Sequence, residues 1–122
     1  MRLTAGVLYL APVLLGASDP ADTLPAGVQS RLRELRRFIV EQPKSARAFL
    51  RAIGHPGPLA QLAIEKLAPD APPGELGRLL APVRAGASAA VLAEAGAPGV
   101  ADPGEALVRA ARRAHHHLAQ LT

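Results

Sequence analysis

Ala87-Ser88-Ala89-Ala90-Val91-Leu92 is the segment of this sequence that decides the fold. Its side chains are small or apolar, and none of them carries a charge. An uninterrupted run of this kind, too short for an average helix, is typical of a parallel strand that is buried on both faces. The glycine- and proline-rich segment 94–104 follows it. Together the two features predict a buried strand that ends in an irregular loop.

Further short apolar segments alternate with helical patterns on both sides of this strand. One helix is predicted to open at Pro25, and a second to end at Gly54, where a left-handed residue is needed. A third should start at Pro72-Pro73 and end early or kink at Pro82, and a fourth should follow residue 104. Strands are predicted near residues 6–11, 37–41, 61–66, 87–92 and 116–121. This order predicts a single α/β domain with a mostly parallel five-stranded sheet flanked by helices.

The first residues allow two interpretations. Met1-Arg2, followed by the apolar run 5–17, has the outline of a secretory signal, which would make this a secreted helical protein. Pro12 would break such a helix, however, and Val7-Leu8-Tyr9-Leu10 is β-prone. We therefore favour a buried strand. The run is also too short to cross a bilayer as a helix, so no membrane association is expected.

The composition sets broad limits on function. The chain has 122 residues and contains no cysteine, so disulfides and thiolate metal sites are excluded. This composition fits a cytoplasmic location. A formal net charge of +4, mostly from arginine, is compatible with a phosphate-bearing partner, but it is equally a property of alanine- and arginine-rich proteins in general.

The loop after the decisive strand has the properties of a ligand-binding segment. Gly96, Gly99 and Gly104 let the backbone come close to a ligand, and the prolines stiffen its path. Asp102 precedes a proline at the first position of a helix, where an acidic cap can accept hydrogen bonds from free amides. A stiff, capped connection that binds nothing explains the same residues equally well.

A family resemblance is carried by Ala93-Glu94-Ala95-Gly96-Ala97-Pro98-Gly99-Val100-Ala101-Asp102-Pro103-Gly104. It closely resembles the S-D-A-G-T-P-G-I-S-D-P-G signature of the ribosomal small-subunit cytidine 2′-O-methyltransferases, within the tetrapyrrole-methylase-like superfamily. The opening strand with Pro12, Val40-Glu41 and the helix after the signature agree with that family in order and spacing. The resemblance covers nearly the whole chain.

The resemblance implies an S-adenosylmethionine-dependent methyltransferase that acts on ribosomal RNA. It places cofactor contacts on Glu94, Ala95, Gly96, Pro98, Val100, Ala101 and Asp102. It places the substrate-facing residues at Pro12, Gly16 and Glu41. No nucleophile-and-base pair is evident in the sequence. None is required, because alignment of the acceptor with the methyl carbon supplies much of the rate of methyl transfer.

The resemblance also implies that residues 1–122 are the amino-terminal domain of a two-domain enzyme, whose carboxy-terminal domain lies outside this chain. By itself the chain is expected to fold, to lack activity and to self-associate, a homodimer included, through the surface that the second domain would cover. The segment 11–16 lacks the family's asparagine and has one extra residue. This departure leaves open a catalytically inactive binding or scaffold domain of the same fold.

Several basic residues remain as weaker candidates. His115-His116-His117 has no acidic or cysteine partner nearby in sequence, so no metal site is predicted there. His55 is interpreted as an exposed turn residue rather than a catalytic one. Arg31, Arg33, Arg36 and Arg37 are either phosphate contacts or, for at least the first three, a solvated helix face.

Overall fold

A computed structural model describes residues 6–13, 24–94 and 103–121 of the chain. Strands and helices alternate throughout, as the sequence predicted, and all five predicted strands are confirmed. The elements are β1 Val7–Val13, α1 Ala26–Glu34, β2 Arg37–Val40, α2 Pro43–Ala52, a short 3₁₀ turn Leu59–Gln61, β3 Ala63–Lys66, α3 Pro73–Arg84, β4 Ala89–Glu94, α4 Pro103–Arg113 and β5 His117–Gln120.

The five strands form one sheet in the order β3-β2-β4-β1-β5, and every described pairing is parallel. The expectation of a mostly parallel sheet is therefore met by a fully parallel one. β4 is the middle strand, and Ala89 and Ala90 are fully buried in it. Small side chains suit this position because helices cover both faces of a parallel sheet.

Residues 7–13 form a strand between β4 and β5. The helical interpretation of this segment, on which the secreted alternative depended, is wrong for these residues. β-Branched and aromatic side chains here pack against neighbouring strands, and Leu8 and Ala11 are completely buried. None of the helices in the described part of the chain is both long and apolar enough to cross a bilayer.

Two hydrophobic clusters lie on opposite faces of the sheet. α1 and α2 contribute Leu32 and Leu50 to one cluster, whereas α3 and α4 contribute Leu80 and Leu107 to the other. Side chains alternate along each strand, so Phe38 and its neighbour Ile39 belong to different clusters. The chain moves one way across the sheet from β1 to β3 and back from β3 to β5, and right-handed crossovers then place the two helix pairs on opposite faces.

α3 contradicts one expectation. Pro82 neither ends the helix early nor separates it into two, since α3 continues to Arg84. A proline lacks the amide that would bond to the carbonyl four residues earlier. Here the proline lies in the last turn, so one helical bond is lost close to where the helix ends. The Pro82 carbonyl still accepts a bond from the Ala87 amide at 2.9 Å, which ties the helix end to the approach to β4.

Three helices end in the same left-handed motif. Gly54 has φ +76° and follows α2, as predicted, and Gly86 has φ +112° after α3. In each case the next amide reaches back five residues, His55 to Leu50 at 3.0 Å and Ala87 to Pro82 at 2.9 Å. α4 ends likewise, except that the left-handed residue is His115, with φ +58°. A side chain at that position costs energy that glycine avoids.

Candidate functional site

The parallel strands give the sheet two unlike ends. We call the end at which they finish, marked by Val13, Val40, Lys66, Glu94 and Gln120, the carboxyl edge. The end at which they begin, marked by Val7, Arg37, Ala63, Ala89 and His117, is the amino edge. In open α/β sheets, ligands bind outside the carboxyl ends of the strands, at the point where the strand order reverses.

The strand order places that point between β1 and β4. The two strands are paired along their length, and the last pairs are Pro12 with Ala93 and Val13 with Glu94. From β1 the chain continues to α1 on one face of the sheet, and from β4 it continues to α4 on the other. Adjacent strands whose connections diverge to opposite faces leave a crevice between them. The two segments singled out from the sequence start at this crevice.

Glu41 reaches the same edge from the next strand. It directly follows β2, whose last residue, Val40, is paired with Leu92 of β4. Glu41 is therefore level with the end of β4, and it is half-buried. The structure thus brings the end of β1, the end of β4 and Glu41 together on the neighbouring strands β1, β4 and β2. The predicted α/β fold already placed these segments at the carboxyl edge, but it did not predict that their strands are neighbours.

Two of the predicted site residues have a different local setting from the one expected. Pro12 was assigned to the loop after β1, and Glu94 to the loop after β4, but both lie within strands that extend to Val13 and Glu94. Pro12 is tolerated because the described pairing of β1 with β5 ends at Leu10. Beyond Leu10, no described pairing on that side of β1 requires a backbone amide.

The remaining predicted contacts lie outside the described residues. They are Gly16, Ala95, Gly96, Pro98, Val100, Ala101 and Asp102. α4 begins at Pro103, immediately after Asp102, where the sequence predicted a helix start with proline in the first position. The expected capping role of Asp102 stays a prediction.

The described part of the carboxyl edge carries carboxylates at the starts of its helices. Glu75 and Glu105 occupy the first turns of α3 and α4, where the helix dipole favours negative charge. Arg78 donates hydrogen bonds to Glu75 at 3.0 and 3.1 Å, and this contact holds the pKa of the Glu75 carboxyl below its usual range. Arg109 pairs with Glu105 at 2.7 Å. Both acids are therefore neutralised by an arginine of their own helix.

His55 has a structural role at the other end of the sheet. It was expected to be an exposed turn residue, but it is half-buried, and its ring contacts Phe38 edge-on at 5.8 Å between centroids. The Gly57 amide donates to Nδ1 at 3.2 Å, so Nε2 carries the proton and donates to the Leu35 carbonyl at 2.6 Å. Both ring nitrogens are occupied in joining the end of α1 to the turn after α2. His55 therefore lies away from the carboxyl edge and is not part of the candidate site.

The three consecutive histidines are also at the amino edge. His115 is the left-handed residue after α4, and His117 begins β5. His116 is half-buried, and its Nε2 has no hydrogen-bond partner among the described residues. Burial, with the nearby charges of Arg84 and His117, lowers the pKa of the His116 imidazole. Among the described residues, no group of three or more histidine and acidic side chains could hold a metal ion.

The arginines proposed as phosphate contacts divide into two groups. Arg31 pairs with Glu34 at 2.9 Å and lies over the Tyr9 ring, while Arg33 donates to the Ile53 carbonyl at the end of α2 at 3.1 Å. Arg37 lies 3.8 Å from Glu65. Arg36 is exposed and has no hydrogen-bond or ion-pair partner in the described part of the chain. The helix-face interpretation therefore explains Arg31 and Arg33 but not Arg36.

Comparison with known proteins leaves the family undetermined. No protein-family model matches the sequence, and no curated protein matches it either.

Proposed function

We propose that this chain is the cofactor-binding, amino-terminal half of an S-adenosylmethionine-dependent methyltransferase. The observation that carries the proposal is the pairing of β1 with β4 at the point where the order of the strands reverses, because open α/β sheets bind ligands there. The glycine-rich segment that resembles the methyltransferase signature starts at this crevice, directly after Glu94. A ligand-binding motif at the ligand-binding position of the fold is a stronger argument than either feature alone.

The chemistry of the edge fits the cofactor. S-adenosylmethionine carries its electrophilic methyl group on a cationic sulfonium, so its site should have no excess of positive charge. The proposed site also requires the backbone to come close to the cofactor. Glycines 96, 99 and 104 permit that approach, and Glu41 directly follows β2, the strand beside β4. Residues Glu94, Ala95, Gly96, Pro98, Val100, Ala101 and Asp102 would hold the cofactor, and Pro12, Gly16 and Glu41 would face the methyl acceptor.

The acceptor and the assembly are part of the same proposal. The motif resemblance supports ribosomal RNA as the acceptor, with ribose 2′-O-methylation as the reaction, in the cytoplasm. A second domain would cover the cofactor, and without it the exposed surface would favour a homodimer. Well-oriented reactants account for roughly 7–11 kcal/mol of a barrier, so a half-site that cannot align acceptor and methyl group should show no turnover.

Calorimetric titration with S-adenosylhomocysteine tests the proposal on a version of the protein that includes the second domain. We expect saturable binding, and we expect Gly96→Leu to abolish it, because a side chain there would occupy the space of the ligand. Gly77→Ala, on the exposed side of α3 with no atom near its Cβ, is the matched control and should bind normally. Labelled methyl transfer to ribosomal subunits should occur with the two-domain protein and not with residues 1–122.

Two results would contradict the proposal. An absence of heat at millimolar S-adenosylhomocysteine would favour the inactive scaffold domain. Unchanged affinity in Gly96→Leu would remove the segment after β4 from the site, whatever the protein binds.

A further inference from the structure

The amino edge of the sheet concentrates exposed arginines. All four helices run antiparallel to the strands, so their last turns meet at this edge. Each of these last turns contains arginine: Arg33, Arg51, Arg84, Arg112 and Arg113. Arg36, which precedes β2, and Arg37, its first residue, lie at the same edge. We call this set, Arg33, Arg36, Arg37, Arg51, Arg84, Arg112 and Arg113, the arginine edge.

Stabilisation of helix ends does not account for the arginine edge. A helix terminus carries about half an elementary charge, so one guanidinium more than neutralises it. α4 ends in two arginines, and Arg36 belongs to no helix. Arg33 and Arg37 are engaged with the Ile53 carbonyl and with Glu65, as described above. Among the described residues, the remaining members have no hydrogen-bond or ion-pair partner, and all are exposed.

The surface is continuous from one face of the sheet to the other. An open cavity of about 400 Å³ is lined by Arg36 and Arg37 on one side and by Ala87 and Ser88 on the other. The cavity therefore joins the start of β2 to the segment 85–88, which follows Arg84 at the end of α3. α4 packs in the same cluster as α3, and its last turn, with Arg112 and Arg113, extends the positive surface. Glu34, at the rim of this cavity, is the acidic residue that pairs with Arg31.

We propose that the arginine edge binds the phosphodiester backbone of a duplex nucleic acid, on the end of the sheet opposite the proposed cofactor crevice. Guanidinium groups bind phosphate through paired hydrogen bonds, and several of them along one edge suit a repeating anion. The inference is independent of the proposed function, since it requires no cofactor and no methyl transfer.

The residues between the arginines favour a duplex over other polyanions. Binding of single strands relies on aromatic side chains that stack on bases. In this chain Phe38 and Phe49 are buried, and Tyr9 lies beneath Arg31, so the exposed aromatic rings described at this edge are the imidazoles of His115 and His117. Binding to an anionic membrane usually adds large apolar side chains that insert between lipids. The exposed nonpolar residues described at this edge are small, such as Ala85, Ala87 and Ala114.

Fluorescence anisotropy with labelled 16-base-pair RNA and DNA duplexes tests the proposal on the 122-residue chain. The triple variant Arg36→Gln, Arg84→Gln, Arg112→Gln should bind at least tenfold more weakly than the unaltered chain. The slope of log K against the logarithm of the salt concentration should be smaller in magnitude by about 2–3 in the variant than in the unaltered chain. Each phosphate contact contributes roughly 0.7–0.9 to that slope. Similar binding of both duplexes would identify backbone recognition, and a preference for RNA would identify its ribose as a further contact.

The matched control is Lys44→Gln, Arg47→Gln, Lys66→Gln. It removes the same charge from exposed side chains that lie away from the amino edge and have no described partner. This control should lose less than twofold in affinity, and thermal unfolding followed by circular dichroism should show both variants folded.

Several outcomes would overturn the proposal. They are equal losses in the two triple variants, no binding by the unaltered chain, tighter binding of single strands than of duplexes, or preferential binding to vesicles containing phosphatidylserine. S-adenosylhomocysteine titration of the same proteins separates this proposal from the methyltransferase, since cofactor binding can fail while the duplex is bound, and the reverse.

Discussion

The two edges of the sheet differ in how the chain crosses them. At the amino edge three of the four connections are short, namely residues 35–36, 85–88 and 114–116, whereas the connection between α2 and β3, residues 53–62, is longer and contains the 3₁₀ turn. At the carboxyl edge the connection after β1 spans residues 14–25, and the one after β4 spans residues 95–102. In a short connection most residues are needed to join the helix to the strand, whereas a long connection can include residues that bind a ligand.

Polar groups at the amino edge are satisfied largely within the fold. The Val7 amide donates to Ser88 Oγ at 2.9 Å, and the Gly6 amide donates to the Val83 carbonyl at 2.8 Å. His55 and the left-handed helix ends do the same for other carbonyls and amides. We infer that backbone and packing changes at the amino edge alter stability, whereas changes at the carboxyl edge alter ligand binding. Exposed arginines are the exception, because they project from the amino edge without supporting it.

The largest expected effect comes from Gly6, at the start of β1. A Cβ there would lie 2.8 Å from the Ala87 carbonyl carbon and 2.8 Å from the Ser88 nitrogen, both of them backbone atoms that cannot rotate away. Gly6→Val should therefore lower the free energy of unfolding by about 3 kcal/mol, measured by urea denaturation. Gly77→Ala, in the open surface of α3, should raise it by about 0.5–1 kcal/mol. Equal stability in Gly6→Val and the unaltered chain would contradict the tight packing of the amino edge.

An intermediate effect is expected at His115, where α4 ends in the left-handed region. A non-glycine residue in this conformation destabilises the folded protein by about 1–2 kcal/mol. Glycine would recover only part of this energy, because it loses more conformational entropy on folding. His115→Gly should accordingly raise the free energy of unfolding by about 0.5–1 kcal/mol. His115→Ala keeps the strained conformation and should give no such gain. A similar gain in both variants would show that the imidazole, and not the backbone, is unfavourable.

The smallest effect is expected from the titration of His116. Burial lowers the pKa of its imidazole, so the unfolded chain binds the proton more tightly than the folded protein. Stability from this residue is complete above the ordinary histidine pKa of about 6.5 and is lost as the pH falls through the lowered value. Urea midpoints should thus decline between about pH 7.5 and 5.5, and His116→Leu should reduce the decline. An unchanged pH profile in this variant would exclude His116 as its source.

Much of the architecture follows from local sequence pattern. The strand 89–94 was predicted from its uncharged, small residues, and Gly54 was predicted to end α2 because a left-handed residue was needed there. Pro82 was misjudged because the cost of a proline depends on how many helical bonds follow it, and here few do. His55 was misjudged because its partner, the Leu35 carbonyl, is twenty residues away in sequence.

The candidate site illustrates the same division. The glycine-rich segment after β4 and the unusual segment after β1 were selected from the sequence as candidate ligand-binding segments. Their adjacency was not recognisable from pattern alone, because it depends on β1 inserting between β4 and β5. The arginine edge was anticipated only in part, since Arg33, Arg36 and Arg37 were candidate phosphate contacts and its other members were not. Its members are scattered from Arg33 to Arg113, and only the antiparallel arrangement of helices and strands gathers them at one end.

Hydrophobic periodicity, charge and turn residues exert their effects over a few neighbouring positions. Local sequence therefore predicts which segments are helices or strands, their order along the chain, and where several of them end. Strand order, register and the choice of face are set by pairings between distant segments, such as Val7 with His117 and Phe38 with Ala90. Which pairings form depends on how much of the chain's total apolar surface each arrangement of strands buries. That total cannot be read from a short stretch of sequence. Tertiary structure therefore decided which loops share a crevice and which charges share an edge.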